Sequence, residues 1–162
     1  MKPERGIRPA LLSDQRELLR LIGEYYRFDR IRYEPKTTPN ALRMLLRKPS
    51  LGRVWVAEDG TRMVGYLVLT YNYDLEFGGD EGIVTELYVE TSVRGWGIGR
   101  KLIDAARSFC HKSGIGTIEL QVSKNNRRAR SFYKSLGFRE FDRVVMAIDT
   151  APTVSRKRKQ RS

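Results

Sequence analysis

Gly95, Gly97 and Gly99 crowd three glycines into five residues, between a strand-like run over 83–89 and a helix-like run over 100–113. Such crowding wastes ordering entropy unless the backbone needs open dihedral angles or close approach by another group. A strand, a tight glycine turn and a helix start bring free N–H groups and the positive end of a helix dipole to one point. The chemistry this suits is the binding of a phosphate or pyrophosphate, with Arg94 and Arg100 alongside. Upstream, Glu86 is the one acid in the middle of the strand run, and burying it requires a reason. A base acting through a water molecule is one reason; a structural carboxylate bonded to backbone or tyrosine is the other. Cys110 falls on an apolar helix stripe and has no evident partner for nucleophilic work. The lone His111, near the end of that helix, reads as a surface or capping residue.

The elements that must position these groups follow from periodicity. A short extended segment covers 7–11, and Ser13 or Asp14 caps a helix whose apolar residues run from Leu18 to Tyr26 at helical spacing. Residues 28–35 form a loop rich in aromatic and charged side chains. Thr38-Pro39 starts a second helix, with Leu42, Leu45 and Leu46 on one side, and Pro49 lies just past its end. Strands over 52–57 and 63–70 flank the turn signal Asp59-Gly60. The stretch 72–80, with Gly78-Gly79, reads as a loop before the strand over 82–89. Alternation along that strand sets Val84, Glu86 and Tyr88 on one face and Thr85, Leu87 and Val89 on the other. After the glycine turn, Leu102, Ile103, Ala106, Phe109 and Cys110 form a core stripe. A strand over 117–122, a short helix over 127–136 capped by Asn125 or Asn126, and a last strand or strand pair over 138–148 complete the order. The expected architecture is α/β of the α+β kind: one domain, a mixed and mostly antiparallel central sheet, helices on both faces.

Bulk properties narrow the function classes. The 162 residues suffice for one domain, placed at 1–150, followed by a basic, disordered tail over 151–162. Of the net charge of +12, five positive charges sit in that tail, leaving +7 on the body. The tail could touch nucleic acid or an acidic surface non-specifically, and the body would draw a polyanionic ligand. Nothing in the body repeats a recognition helix or an aromatic–basic strand pattern, which argues against nucleic-acid binding as the main function. No apolar run approaches membrane-spanning length and no apolar leader is visible, so a cytoplasmic protein without membrane contact is expected. One cysteine and one histidine give no metal cluster, and no metal is expected.

The glycine spacing also excludes. A dinucleotide fingerprint needs G-x-G-x-x-G with an acid roughly 20 residues on, and a P-loop needs a terminal Gly-Lys-Ser/Thr. Here the spacing is G-x-G-x-G, late in the chain, and Gly99-Arg100-Lys101-Leu102 lacks the hydroxyl. Arg94-Gly95-Trp96-Gly97-Ile98-Gly99 instead resembles the acetyl-CoA signature of the GNAT superfamily of N-acetyltransferases. Glu86-Leu87-Tyr88-Val89 looks like that family's central strand. Asn126, Ala129, Phe132-Tyr133 and Leu136-Gly137-Phe138 look like its second acetyl-CoA motif, and the resemblance covers 52–148 almost without gaps.

The resemblance implies acetyl-CoA as donor and direct attack by a primary amine in a ternary complex. It implies that the backbone around Gly95–Gly99, including Trp96 and Ile98 and helped by Arg94 or Arg100, holds the pyrophosphate. The pantetheine arm would run as an extra strand against the main chain of Leu87, Tyr88 and Val89, with Asn126 and Ala129 beside it. Arg127, Arg128 and Arg130 either meet the 3′-phosphate or are solvated. Tyr133 becomes the acid for the leaving thiolate, and Glu86 the candidate base. The chain is similar to the diamine and polyamine acetyltransferases, but has Thr85-Glu86 where that group carries two consecutive acids. The acceptor is therefore expected to be a small cationic amine, or a peptide or protein amine; a GNAT-fold protein that binds acetyl-CoA without catalysis is a further alternative. Glu24, Asp29, Glu34, Asp74, Glu76, Asp80 and Glu81 would flank the acceptor cleft, and Tyr25, Phe28, Tyr33, Tyr71 and Tyr73 would wall it or fill loop cores. The family also implies a homodimer.

Overall fold

The computed structural model describes residues 5–148 and Thr150, so the expected basic tail lies outside the described residues. Two compact units are present, one through Gln121 and one from Val122. The first contains β1 (Arg5–Pro9), α1 (Gln15–Phe28), α2 (Thr37–Arg47), β2 (Gly52–Asp59), β3 (Arg62–Asp74), β4 (Gly79–Val89), α3 (Ile98–Lys112) and β5 (Ile118–Leu120). The second contains α4 (Arg127–Ser135).

The sheet has the order β1-β2-β3-β4-β5. The first four strands are antiparallel neighbours, and β5 lies parallel to β4. A helical crossover is what a parallel neighbour requires, and α3 supplies it. On one face, Leu18, Leu21 and Ile22 of α1 and Leu42 of α2 pack on Val54, Val56, Met63, Tyr66, Val68 and Tyr88. The i, i+3, i+4 spacing in α1 makes one stripe that buries together. On the other face, α3 buries Ile98, Leu102, Ile103, Ala106 and Cys110. There Phe109 meets Trp55 at 5.5 Å and stacks on Tyr71 at 6.5 Å between ring centroids. The mixed sheet with helices on both faces is the architecture the sequence implied.

Several boundaries differ. The stretch 72–80 is mostly strand: β3 runs to Asp74 and β4 begins at Gly79, with Tyr73 paired to Asp80. Its glycines and acids mark only the short connection over 75–78. α3 starts at Ile98 rather than Arg100, because Gly97 already acts as its N-cap. The strand read over 117–122 is limited to Ile118–Leu120. The expected strand over 138–148 is not formed among the described residues. Phe141, Val144, Val145, Met146 and Ile148 are exposed there, so β propensity without a pairing partner does not make a strand.

The sharpest difference is inside β4. Val68 pairs with Glu86 while the next residue, Leu69, pairs with Val84, so Thr85 is an extra residue, a β-bulge. A Cβ on Gly82 would lie 3.1 Å from Leu69 and 3.3 Å from Cys110 Sγ, which fixes the α3 face for that half of β4. Glu86 and Tyr88 lie on the α1 face with Val68 and Tyr66. Simple alternation, which put Val84 with Glu86, is therefore wrong at this point. Thr85 resets the count.

Candidate active site

The bulge presents Glu86 to the α1 face, where two tyrosines meet it. Tyr26, near the end of α1, donates to Glu86 Oε1 at 2.8 Å. Tyr66 of β3 donates to Oε2 at 2.7 Å. Tyr66 has no exposed surface, whereas Tyr26 and Glu86 are half-buried. Burial pushes the Glu86 carboxyl above its ordinary range, and the Tyr66 and Tyr26 hydroxyls pull it part of the way back. Around them the rings of Tyr25, Tyr26, Tyr33 and Tyr88 pack: Tyr25 to Tyr26 at 5.8 Å, Tyr25 to Tyr88 at 5.9 Å, Tyr26 to Tyr33 at 6.2 Å. Tyr88 donates to Glu24 Oε2 at 3.4 Å. Tyr25 and Tyr33 thus pack in this cluster. Tyr71 does not: it stacks on Phe109 on the opposite face. Tyr73 is 70% exposed on the β3–β4 hairpin.

The acids divide similarly. Glu24 accepts from Arg20 at 2.9 Å, and Glu34 pairs with Arg32 at 2.6 Å. Asp74 caps the Glu76 N–H, while Asp80 sits exposed near the start of β4. Glu81, only 2% exposed, accepts a long 3.3 Å bond from Asn72.

β4 carries a second feature. Its pairing to β5 covers only Gly82 to Val84, so from Thr85 to Val89 that edge has no strand beside it among the described residues. Leu87 and Val89 lie on this stretch. An extended ligand can use such an edge as a strand would.

The strand then runs into the glycine loop, which is anchored from below. Glu90, 4% exposed, accepts from Arg20 at 2.8 Å and pairs with Arg62 at 2.7 Å. Gly95 and Gly97 have φ of 86° and 79°, the left-handed region where a side chain is strained. A Cβ at either would meet nothing within 4 Å, so the backbone there faces open space. Lys101 N–H donates to Gly97 O at 3.0 Å, the first bond of α3. The N–H groups of Ile98, Gly99 and Arg100 have no partner within the helix. With no acid in the first turn and Arg100 and Lys101 beside it, this terminus suits an anion. Arg94 is partly committed: its Nε donates to Val89 O at 2.9 Å, and its guanidinium lies 4.5 Å from the Phe28 ring centroid and 5.7 Å from that of Tyr88.

In the second unit, Asn126 Oδ1 accepts from Ala129 N–H at 3.1 Å, so this side chain caps α4. Arg130 pairs with Glu140 at 2.6 Å and donates to Lys124 O, while Arg127 and Arg128 are exposed. Tyr133 packs between Phe132 at 5.2 Å and Phe138 at 5.6 Å, and burial pushes its hydroxyl up to about 12. It therefore keeps its proton at neutral pH. Cys110 is buried and its thiol is pushed up by burial, the opposite of an activated nucleophile. His111 is exposed in the last turn of α3. Among the described residues no group of three or more His, Cys, Asp or Glu could hold a metal ion, and no helix is long and apolar enough to cross a membrane.

Sequence reasoning singled out Glu86 but missed its partners. Tyr26 read as part of a core stripe and Tyr66 as an ordinary strand residue. The available signal was the β3–β4 pairing, which sets Tyr66 diagonally across from Glu86.

An open strand edge, an anion-ready helix start and a half-buried carboxylate together define a protein able to hold an extended anionic ligand beside a carboxylate. Residues 16–138 match the Acetyltransferase (GNAT) family, and the chain belongs to it. It is 32% identical over 136 residues to an uncharacterized N-acetyltransferase of Methanocaldococcus jannaschii, covering 83% of this chain but 60% of that relative's length. It is 29% identical over 140 residues to the thialysine N-epsilon-acetyltransferase of Bos taurus, covering 81% of this chain and 82% of the relative. Among solved structures, an integron cassette protein from the mobile metagenome of Cole Harbour Salt Marsh superposes with a TM-score of 0.81 at 30% identity, covering 91% of this chain and 92% of the other.

Proposed function

We propose that the protein transfers the acetyl group of acetyl-CoA to a primary amine, directly and within a ternary complex. The observation that carries this reading is the composition of β4: Glu86 on one face, an open edge from Thr85 to Val89, and the glycine loop at its end. The donor supplies a thioester-activated acetyl group. The N–H groups over Gly95–Gly99 and at Arg100 hold the pyrophosphate, and the main chain of Leu87, Tyr88 and Val89 holds the arm. Arg94 and Trp96 flank the loop, and the family resemblance assigns Asn126 and Ala129 to the arm as well. Glu86 removes a proton from the attacking nitrogen through a water molecule as the new N–C bond forms. The C–S bond breaks, and Tyr133 donates its proton to the departing sulfur.

The acceptor we favour is a small cationic amine. Glu24 and Glu86 among five tyrosine rings give both negative charge and π-faces for an aliphatic ammonium group. The mammalian relative named for thialysine, an amine of that kind, supports the same choice. The test is release of free thiol from acetyl-CoA with a panel of aliphatic diamines, polyamines, thialysine, aminoglycosides and peptides. Turnover with the aliphatic amines is expected. Turnover with peptides alone would replace the acceptor, and tight acetyl-CoA binding with no turnover on any amine would replace the enzyme with a non-catalytic binder.

A further inference from the structure

The Glu86 carboxylate is supported in an uncommon way. It is half-buried, yet among the described residues it has no ion pair; its two hydrogen-bond partners there are neutral hydroxyls on different elements, Tyr26 of α1 and Tyr66 of β3. A guanidinium in their place would hold the carboxylate more firmly and suppress its basicity, because a cation favours the charged form strongly. Two neutral donors do less. They orient the carboxylate plane, offset part of the cost of burial, and leave each oxygen a further lone pair for water or substrate. Both phenols are themselves pushed well above their ordinary range, first by burial and then by the nearby Glu86, so they remain donors wherever the enzyme works. The other groups around this point are the phenols of Tyr25, Tyr33 and Tyr88, with Glu24 reached through Tyr88 and Arg94 stacked over its ring.

We infer that Tyr26 and Tyr66 are positioning residues that jointly fix the orientation and the proton affinity of Glu86. This rests on the reading of Glu86 as the base. Because both hydrogen bonds favour the ionised carboxylate, removing either must raise its proton affinity, and the acid side of the pH profile must move upward.

The experiment uses the full chain with Tyr26→Phe, Tyr66→Phe, the double variant and Glu86→Gln. The Glu86 carboxyl carbon is titrated by 13C NMR, and kcat is followed against pH at saturating acetyl-CoA and acceptor. Each single variant should raise the NMR midpoint and the acid limb of kcat together, by about one pH unit. Below the limb kcat then falls about tenfold, and above it kcat returns to within about threefold of wild type. Glu86→Gln should lose the limb. An unmoved NMR midpoint in both single variants overturns the inference while leaving Glu86 free to be the base. A midpoint that moves while the kcat limb stays overturns the reading of Glu86 as the base, since the two tyrosines would then tune a carboxylate that is not the reacting group. Tyr26 is half-buried, so Tyr26→Phe keeps the test valid should Tyr66→Phe fold poorly.

Discussion

Replacing Gly97 with alanine separates the needs of the fold from those of the ligand. Gly97 has φ of 79°, so a side chain there costs about 1–2 kcal/mol in the left-handed region. The added methyl meets nothing within 4 Å, so no packing penalty accompanies it. For a chain of this length the loss lowers Tm by about 2–8 °C. In the proposed acetyl-CoA complex, the same methyl would stand where the anion approaches the N–H groups of Ile98, Gly99 and Arg100. Losing one such charge-assisted bond weakens acetyl-CoA binding about 10- to 100-fold. Gly114 is the control: its φ is 76°, its Cβ also meets nothing within 4 Å, and it lies past the opposite end of α3. Thermal melts should show similar losses for Gly97→Ala and Gly114→Ala, whereas calorimetric titration with acetyl-CoA should show weakened binding for Gly97→Ala alone. Equal affinity for the two variants would refute the assignment of the loop to the pyrophosphate.

Two further outcomes are expected. Tyr133→Phe should lower kcat by about 10²- to 10⁴-fold with little change in acetyl-CoA affinity or Tm, because only the proton for the sulfur is lost; unchanged turnover would remove Tyr133 from the mechanism. Arg20→Ala strips Glu90 of one of its two cations and leaves the Met63 carbonyl without its 2.8 Å donor, so denaturant titration should show a loss of about 2–3 kcal/mol. A change below about 0.5 kcal/mol would mean that the anchor beneath the glycine loop is dispensable.

What the sequence disclosed was local, and what it concealed was pairing. The glycine loop was legible because its spacing, the preceding strand and the following helix all fall within about 30 contiguous residues. The apolar stripes of α1 and α3 were legible for the same reason, since a helix face is written at i, i+3 and i+4. The bulge at Thr85 left no such mark: Val84, Glu86 and Tyr88 keep their alternation in the sequence while the backbone breaks it. Tyr26 and Tyr66 lie 60 and 20 residues from Glu86, and only the stacking of α1 on β3 and β4 brings them together. At 72–80 the turn-forming residues hid a hairpin whose strands extend past them. At 138–148 the opposite error arose, because aromatic and β-branched residues promised a strand that no neighbour completes among the described residues.

In the proposed reaction Glu86 and the glycine loop act in a single complex, with the amine attacking the acetyl group directly. Initial rates of thiol release, measured with acetyl-CoA and the best amine both varied, test it most directly. Reciprocal plots that intersect, with no acetylated protein detected by intact mass after incubation with acetyl-CoA alone, are the predicted result. Parallel lines together with a stably acetylated protein would contradict it, because the acetyl group would then pass through a covalent enzyme form that the buried Cys110 and the Glu86 site do not provide.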